Sequence, residues 1–272
     1  DKYLEKRELT NKEKFYVDNL YTTLEFIIKT IREQESKSMY DKTLTETRLN
    51  LRKEGKITIN FLGFVDKIKY LEDNDGKYLV AIIDYKTGYV PTTLDNINYG
   101  LHLQLPVYIY LTKRGLHKDI KITGFYLQKI LNGKTVDSDS FEEDSKKALK
   151  LDGYSIDSEE ELIKFDRTYA KSDVIKGMAT TSKGFAHYAK LFNDSDIEKI
   201  DRIVDERINE VVEAIWKGDF PINPKRVKGE LIGCEFCKYK EICYRREEDI
   251  VDLEYKTRED ILGDDLNAKV DE

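Results

Sequence analysis

The stretch ITINFLGFVDKIKYLEDNDGKYLVAIIDYK, residues 57–86, decides how this chain folds. Residues 57–70 and 78–86 are rich in β-branched and aromatic side chains, and Asn74-Asp75-Gly76 stands between them, which is a hairpin signature. A three-residue loop with glycine in the left-handed region closes such hairpins. Pairing symmetric about residue 75 then sets Asp66 opposite Asp84, with β-carbons about 5 Å apart. Two carboxylates so placed repel each other, and in strands this apolar the repulsion has to be compensated. Alternation along the strand puts Lys86 on the face of Asp84 and turns Tyr85 away, leaving its carbonyl available. Two carboxylates and a carbonyl are hard oxygen ligands, suited to Mg2+ or Mn2+ rather than zinc. A cation there polarises a phosphate oxygen and acidifies water, while the lysine orients that water or offsets charge on phosphorus.

Further on, Gln104 and Tyr108 are four apart in a segment, GLHLQLPVYIYL, whose pattern is ambiguous between helix and strand. Either period places the two on one face. An isolated D-x-K on a strand is ordinarily an exposed ion pair, so the weight lies on the set. Taken together, Gly63-Phe-Val-Asp66, Ile82-Ile-Asp84-Tyr-Lys86-Thr-Gly88 and Gln104-Leu-Pro-Val-Tyr108 resemble the PD-(D/E)XK nucleases of the RecB type. The resemblance implies a restriction-endonuclease-like α/β fold, a mixed sheet flanked by helices, and hydrolysis of DNA phosphodiester bonds, chiefly on single strands. It implies metal binding by Asp66, Asp84 and the Tyr85 carbonyl, and activation or positioning of water by Lys86. Gln104 and Tyr108 would hold the DNA or orient Lys86. An acidic residue or histidine in a helix before the sheet is expected as a further ligand. No histidine precedes His102, so that ligand is expected outside this chain.

The three cysteines fall in one short run, Cys234-Glu-Phe-Cys237-Lys-Tyr-Lys-Glu-Ile-Cys243. Zinc would want a fourth ligand, and His102, His117 and His187 lie far away in sequence without finger spacing. Beside the nuclease motifs, the C-x2-C-x5-C spacing looks like the iron–sulfur module of the AddB family, a [4Fe–4S] cluster whose fourth cysteine lies upstream. No cysteine precedes Cys234: either the chain, starting at Asp1, is a fragment that begins after that residue, as the non-methionine start favours, or the cluster is incomplete or ligated otherwise. The same resemblance implies the C-terminal nuclease domain of an AddB-type helicase–nuclease. Its partner would be an AddA-like subunit, and its setting the repair of double-strand breaks by recombination.

Composition limits the field. Of 272 residues 40% are hydrophobic and 36% charged, and no run of about 18 apolar residues marks a membrane span. The start, DKYLEKRELT, has no secretory pattern, and clustered cysteines point to a reducing, cytoplasmic setting and a metal. A net charge of −7 argues against a basic coat for nucleic acid. Residues 225–246 nevertheless hold Lys225, Arg226, Lys228, Lys238, Lys240, Arg245 and Arg246 against Glu230, Glu235 and Glu241, an excess of four positives. A local path of this kind suffices for DNA, with Lys225, Arg226 and Lys228 as its contacts.

Around these motifs the chain reads in order. Thr10 and Glu13 form a capping box ahead of an amphipathic helix over 11–35, with Leu20, Leu24, Ile27, Ile28 and Ile31 directed at the sheet. Residues 43–52 alternate as a first strand carrying Glu46. Pro91 breaks a loop over 89–98, and Pro106 moves the start of the Gln/Tyr helix toward residue 102. Residues 120–131 make a strand that completes the sheet beside the catalytic one. The Asp-, Glu- and Lys-rich 132–173 segment reads as an exposed insertion with a short helix near 158–164. Ser195 and Glu198 suggest a second capping box for a helix running to Gly218. The nuclease domain is expected over 1–246, with its cysteine region at 225–246, and an acidic tail over 247–272. Two other readings stay open: a catalytically silent DNA-binding and docking module, and a stand-alone RecB-type exonuclease like those of CRISPR adaptation.

Overall fold

The structure is a computed structural model and describes residues 9–55, 57–88, 90–116, 118–130, 141–235 and 237–263. In chain order its elements begin with α1 (Asn11–Glu35), β1 (Lys42–Lys53), β2 (Ile59–Glu72), β3 (Tyr78–Lys86), α2 (Gln104–Gly115) and β4 (Ile120–Lys129). Then follow α3 (Phe141–Ala148), β5 (Asp152–Ile156), α4 (Glu159–Phe165), β6 (Thr180–Thr181), β7 (Gly184–Phe185), β8 (Leu191–Phe192) and α5 (Asp194–Lys217). The chain closes with β9 (Lys225–Val227), β10 (Glu230–Leu231), β11 (Val251–Leu253) and α6 (Arg258–Leu262). Two compact units form: Asp1–Arg48, Phe64–Thr92 and Lys118–Phe192 make the first, and Leu49–Gly63, Thr93–His117 and Asn193–Glu272 the second.

The six-stranded sheet has the order β1-β2-β3-β4-β5-β8. It is mixed, as expected: β2/β3 and β4/β5 are antiparallel, β3/β4 and β5/β8 parallel. Every residue of Leu79-Val80-Ala81-Ile82-Ile83 is buried, the mark of a strand covered on both faces. Each large side chain buried in this way contributes about 1.5–3 kcal/mol. One face packs on Tyr40, Tyr126, Leu162, Phe165 and Val174. On the neighbouring β4, Phe125 stacks on Tyr154 and touches Phe192. The register shifts at Val80/Ala81, and Thr123 beside the shift donates its hydroxyl to the Val80 carbonyl, which keeps that acceptor satisfied.

The hairpin closes as its loop requires. The Asp73 amide donates to the Lys77 carbonyl at 2.8 Å and the Gly76 amide to the Asp73 carbonyl at 3.0 Å, with Gly76 at φ +76°. A residue with a β-carbon is strained there.

Three expectations for the first unit change. Helix α1 has the Thr10/Glu13 box, but only its C-terminal half is buried, through Ile27, Thr30 and Gln34; Leu20, Leu24 and Ile28 are exposed. Periodicity fixes which face is apolar and says nothing about how far the covering layer extends. Within the segment read as an exposed insertion, 141–173 is built into the unit: β5 joins the sheet, and Leu149, Leu151, Ile156, Leu162 and Phe165 are buried. Its short strand DGYSI carries little apolar signal, and Gly153 is there because a β-carbon would lie 2.1 Å from the Phe125 carbonyl oxygen. Consequently β4 has strands on both sides and does not end the sheet.

In the second unit α2 starts at Gln104, which leaves Pro106 in the first turn, where no helical hydrogen bond is lost. Arg114 binds Asp201 of α5 with both terminal nitrogens, at 2.6 and 2.7 Å, and the Tyr110 hydroxyl donates to Asp205 at 2.7 Å. Helix α5 starts two residues before the expected box: Asn193 caps it with Asp196 as reciprocal partner. Arg258 fixes the choice by donating to Asp196 at 2.7 Å in a buried pair.

Of the partly ordered tail expected over 247–272, residues 251–263 are built into the second unit. Strand β11 lies parallel to β9. Asn96 and Lys256 exchange hydrogen bonds at 2.8 and 2.9 Å, the Arg258 amide donates to Asp95 at 2.9 Å, and the Tyr255 hydroxyl donates to the same carboxylate. Residues 264–272 of the expected tail, 132–140 of the expected insertion and 131 of the expected strand lie outside the described residues.

Candidate active site

Paired positions in the hairpin run from Glu72↔Tyr78 to Lys67↔Ile83, all symmetric about residue 75. The next step of this register is Asp66 and Asp84, and there the ladder gives way to a side-chain contact. An oxygen of Asp66 accepts the Tyr85 amide at 2.9 Å. Strand β3 stays paired on its other edge, with Asp84, Tyr85 and Lys86 opposite Leu127, Gln128 and Lys129 of β4. The two acids therefore sit where one edge of a rigid strand opens while the other remains anchored.

Asp84 is 2% exposed and forms an ion pair with Lys86, whose side chain is 21% exposed. A carboxylate buried this deeply needs positive charge beside it, and the alternation of β3 supplies it two residues on. The donor chemistry fits a hard divalent cation. Mg2+ is commonly held by one or two carboxylates, with water and substrate phosphate completing its shell. Among the described residues no group of three or more His, Cys, Asp or Glu converges as a metal site, so Asp66 and Asp84 are the carboxylates this end of the hairpin offers.

The reverse face holds a cluster that motif reading passes over. Lys67 follows Asp66 and donates to Glu35, the last residue of α1, at 2.6 Å; Lys69 lies 3.9 Å from the same oxygen. Burial disfavours the Glu35 carboxylate, but the hydrogen bond and charge of Lys67, with the charge of Lys69, hold its pKa below the ordinary value. Burial also works against Lys67, yet Glu35 and Tyr85 raise it above the usual lysine value. Lys69 is pushed down, first by burial and further by the charge of Lys67. Gln128 is buried and donates to Gln34 and to the Leu149 carbonyl, both at 2.9 Å. The only signal for these residues was polarity inside apolar strands.

The other expected residues take their places as follows. Gln104 and Tyr108 belong to the second unit, where the Gln104 amide donates to the Tyr108 hydroxyl at 3.1 Å across one helical turn. His102 is exposed, at φ +53°. Arg226 binds Asp252 at 2.6 and 2.9 Å and Glu247 at 2.6 Å. Lys228 lies 3.3 Å from the centroid of the Tyr255 ring, and Lys225 is partly exposed on β9. Cys234, Cys237 and Cys243 are free thiols in a run of turns and do not converge on a common centre among the described residues.

Comparisons with known proteins bear on the same residues. A profile of the PD-(D/E)XK nuclease superfamily matches residues 1–244. The chain is similar to an ATP-dependent helicase/deoxyribonuclease subunit of Carboxydothermus hydrogenoformans, 26% identical over 196 residues, or 69% of this chain and 18% of that protein. Against the protein of the same name from Alkaliphilus oremlandii identity is 26% over 217 residues, 76% of this chain and 19% of the relative. For Clostridium novyi the figures are 27% over 194 residues, 68% and 17%. The chain thus spans less than a fifth of the length of these curated relatives.

Proposed function

The chain belongs to the PD-(D/E)XK nuclease superfamily, and from that premise we propose that it is a divalent-metal-dependent deoxyribonuclease acting on single strands. One observation carries the reading: Asp66, anchored to the Tyr85 amide, stands beside the buried Asp84–Lys86 pair at the open end of a strand. Asp66, Asp84 and the carbonyl of Tyr85 would hold Mg2+ or Mn2+. Such an ion, when bound, offsets phosphate charge and lowers the pKa of a coordinated water.

The chain supplies the rest. Asp84 is buried with Lys86 paired to it, and a preorganised ion pair acts more strongly out of water. Lys86 is the more exposed of the pair, and its ammonium would orient the attacking water or neutralise charge that develops on the phosphate. Gln104 and Tyr108 would hold the DNA, and Lys225 and Lys228 would take phosphates along β9.

The relatives are named as subunits of a helicase/deoxyribonuclease. By that likeness this chain would cut strands delivered by an AddA-like helicase during double-strand-break repair in the cytoplasm. A [4Fe–4S] cluster on Cys234, Cys237 and Cys243 requires those thiols to close up and a fourth ligand to join them; no step is assigned to it. Visible absorbance and iron content of anaerobically purified protein test it.

The deciding experiment is cleavage of labelled single-stranded DNA with Mg2+ or Mn2+, and with EDTA. Asp84→Ala and Lys86→Ala should each abolish cleavage while circular dichroism stays unchanged. Wild-type rates in either variant would refute the assignment, and tight strand binding without cleavage by the wild type would make the chain a silent docking module.

A further inference from the structure

Behind the two acids, on the opposite face of the same strands, lies a charged cluster that the proposed reaction leaves unused. The side chains of Lys67 and Lys69 are only 7% and 6% exposed, and both look to one carboxylate, Glu35, which is 41% exposed. Lys67 takes the short contact, 2.6 Å, and Lys69 the long one, 3.9 Å. The Lys67 ammonium also lies 5.9 Å from the centroid of the Tyr85 ring and is held by that side chain as well as by Glu35. One residue earlier on α1, Gln34 accepts a hydrogen bond from Gln128, the β4 residue paired with Tyr85. The end of α1 therefore grips three neighbouring strands: β2 through Lys67, β3 through Lys67 and Tyr85 together, and β4 through Gln128.

This grip falls at the step where the hairpin ladder ends. Lys67↔Ile83 is the last paired position, and Asp66 is one peptide further on. Because successive side chains point to opposite faces, Lys67 and Asp66 move together: a shift that lets Lys67 leave Glu35 carries Asp66 away from the Tyr85 amide. Tyr85 is tied on both sides, its ring to Lys67 and its backbone amide to Asp66.

We propose that Lys67 is a positioning residue for the metal-binding end of the hairpin: paired with Glu35 and Tyr85, it fixes where β2 and β3 part and so holds Asp66 beside Asp84. This rests on the nuclease reading above, since a fixed position of Asp66 matters to function only if Asp66 is a ligand. Residues behind a metal ligand are worth about 10–100-fold in metal affinity or activity, and that is the size of effect assigned to Lys67.

The test uses the whole 272-residue chain and reads metal binding and local geometry as well as cleavage. Lys67→Met keeps the length and apolar stem of the side chain and removes the charge, leaving Glu35 with Lys69. Calorimetry with Ca2+, which binds without turnover, should show affinity weakened about tenfold or more. The Tyr85 amide resonance of the metal-free protein should move, and cleavage should need correspondingly more Mg2+ with little change in maximal rate. Lys67→Arg, which restores the charge, should recover most of the affinity, and Lys69→Met, further along the strand, should leave it near wild type. Should Lys67→Met fail to fold, Glu35→Gln removes the same ion pair from the other side with the same expected losses. An unmoved Tyr85 amide with wild-type Ca2+ affinity in the charge-removing variant overturns the proposal. Should the wild type and Asp66→Asn bind Ca2+ equally, it is the nuclease reading that fails, and the Tyr85 resonance still decides whether Lys67 sets the geometry.

Discussion

At the scale of single residues, the proposed chemistry would depend on charges placed where water screens them weakly. Asp84 is buried with Lys86 paired to it on the same face, and Glu35 keeps a partly buried charge because two lysines face it. The Glu35 pKa lies below its ordinary 4.5, so its stabilising contribution is fully present above that value and is lost as pH falls through the folded-state pKa. Glu35→Gln should therefore lower stability at neutral pH and flatten the acid limb of urea midpoints measured between about pH 3 and pH 6. An acid limb identical to wild type would show that Glu35 does not carry this charge. Gly153 makes a steric demand instead. A methyl group there meets a backbone oxygen, which cannot rotate away, so Gly153→Ala should cost about 3 kcal/mol or more in chemical denaturation. Neither residue belongs to a motif, and neither is legible locally: Glu35 finds Lys67 across 32 positions, and Gly153 finds Phe125 across a strand pairing.

At the scale of elements, helix ends show where local rules were sufficient and where a partner intervened. Thr10 and Glu13 cap α1 as the sequence implies. In α5 two overlapping boxes were available, and Arg258 selected the one containing Asp196. Asn193→Ala should thus cost about 1 kcal/mol, whereas Ser195→Ala should cost almost nothing. Thermal midpoints of the two variants decide the point, and a larger loss for Ser195→Ala would contradict the cap. Arg258→Ala leaves Asp196 buried without its cation, a change expected to cost about 3–5 kcal/mol, measurable in urea. Residues 251–263 are thereby a structural strap in the second unit, pinned to Asp95, Asn96 and Asp196. Their acidic composition suggested a tail because composition does not reveal which arginine a carboxylate will meet.

At the scale of the whole molecule, a chain of net charge −7 that binds DNA as proposed would confine its attraction for it to a small area. Binding to single strands weakens with salt by a slope of about 0.7 per phosphate contacted. Lys225→Ala and Lys228→Ala should each reduce that slope by about 0.7, while Arg226→Ala, already neutralised by Glu247 and Asp252, should leave it unchanged. Fluorescence anisotropy at several salt concentrations measures this, and a reduced slope for Arg226→Ala would show that its acid partners yield to DNA. By itself the sequence determined the hairpin, its register about residue 75 and the ends of α1. These follow from loop length, side-chain period and capping, all of which act within a few residues. Tertiary structure alone decided that β5 enters the sheet, that the strap closes on Asp95, that Arg226 is neutralised, and that Lys67 joins Glu35 behind the acids. Each of these is a pairing between distant positions, selected by burial: once water is excluded, a charge or an orphan amide must take whatever partner the packed chain brings within reach.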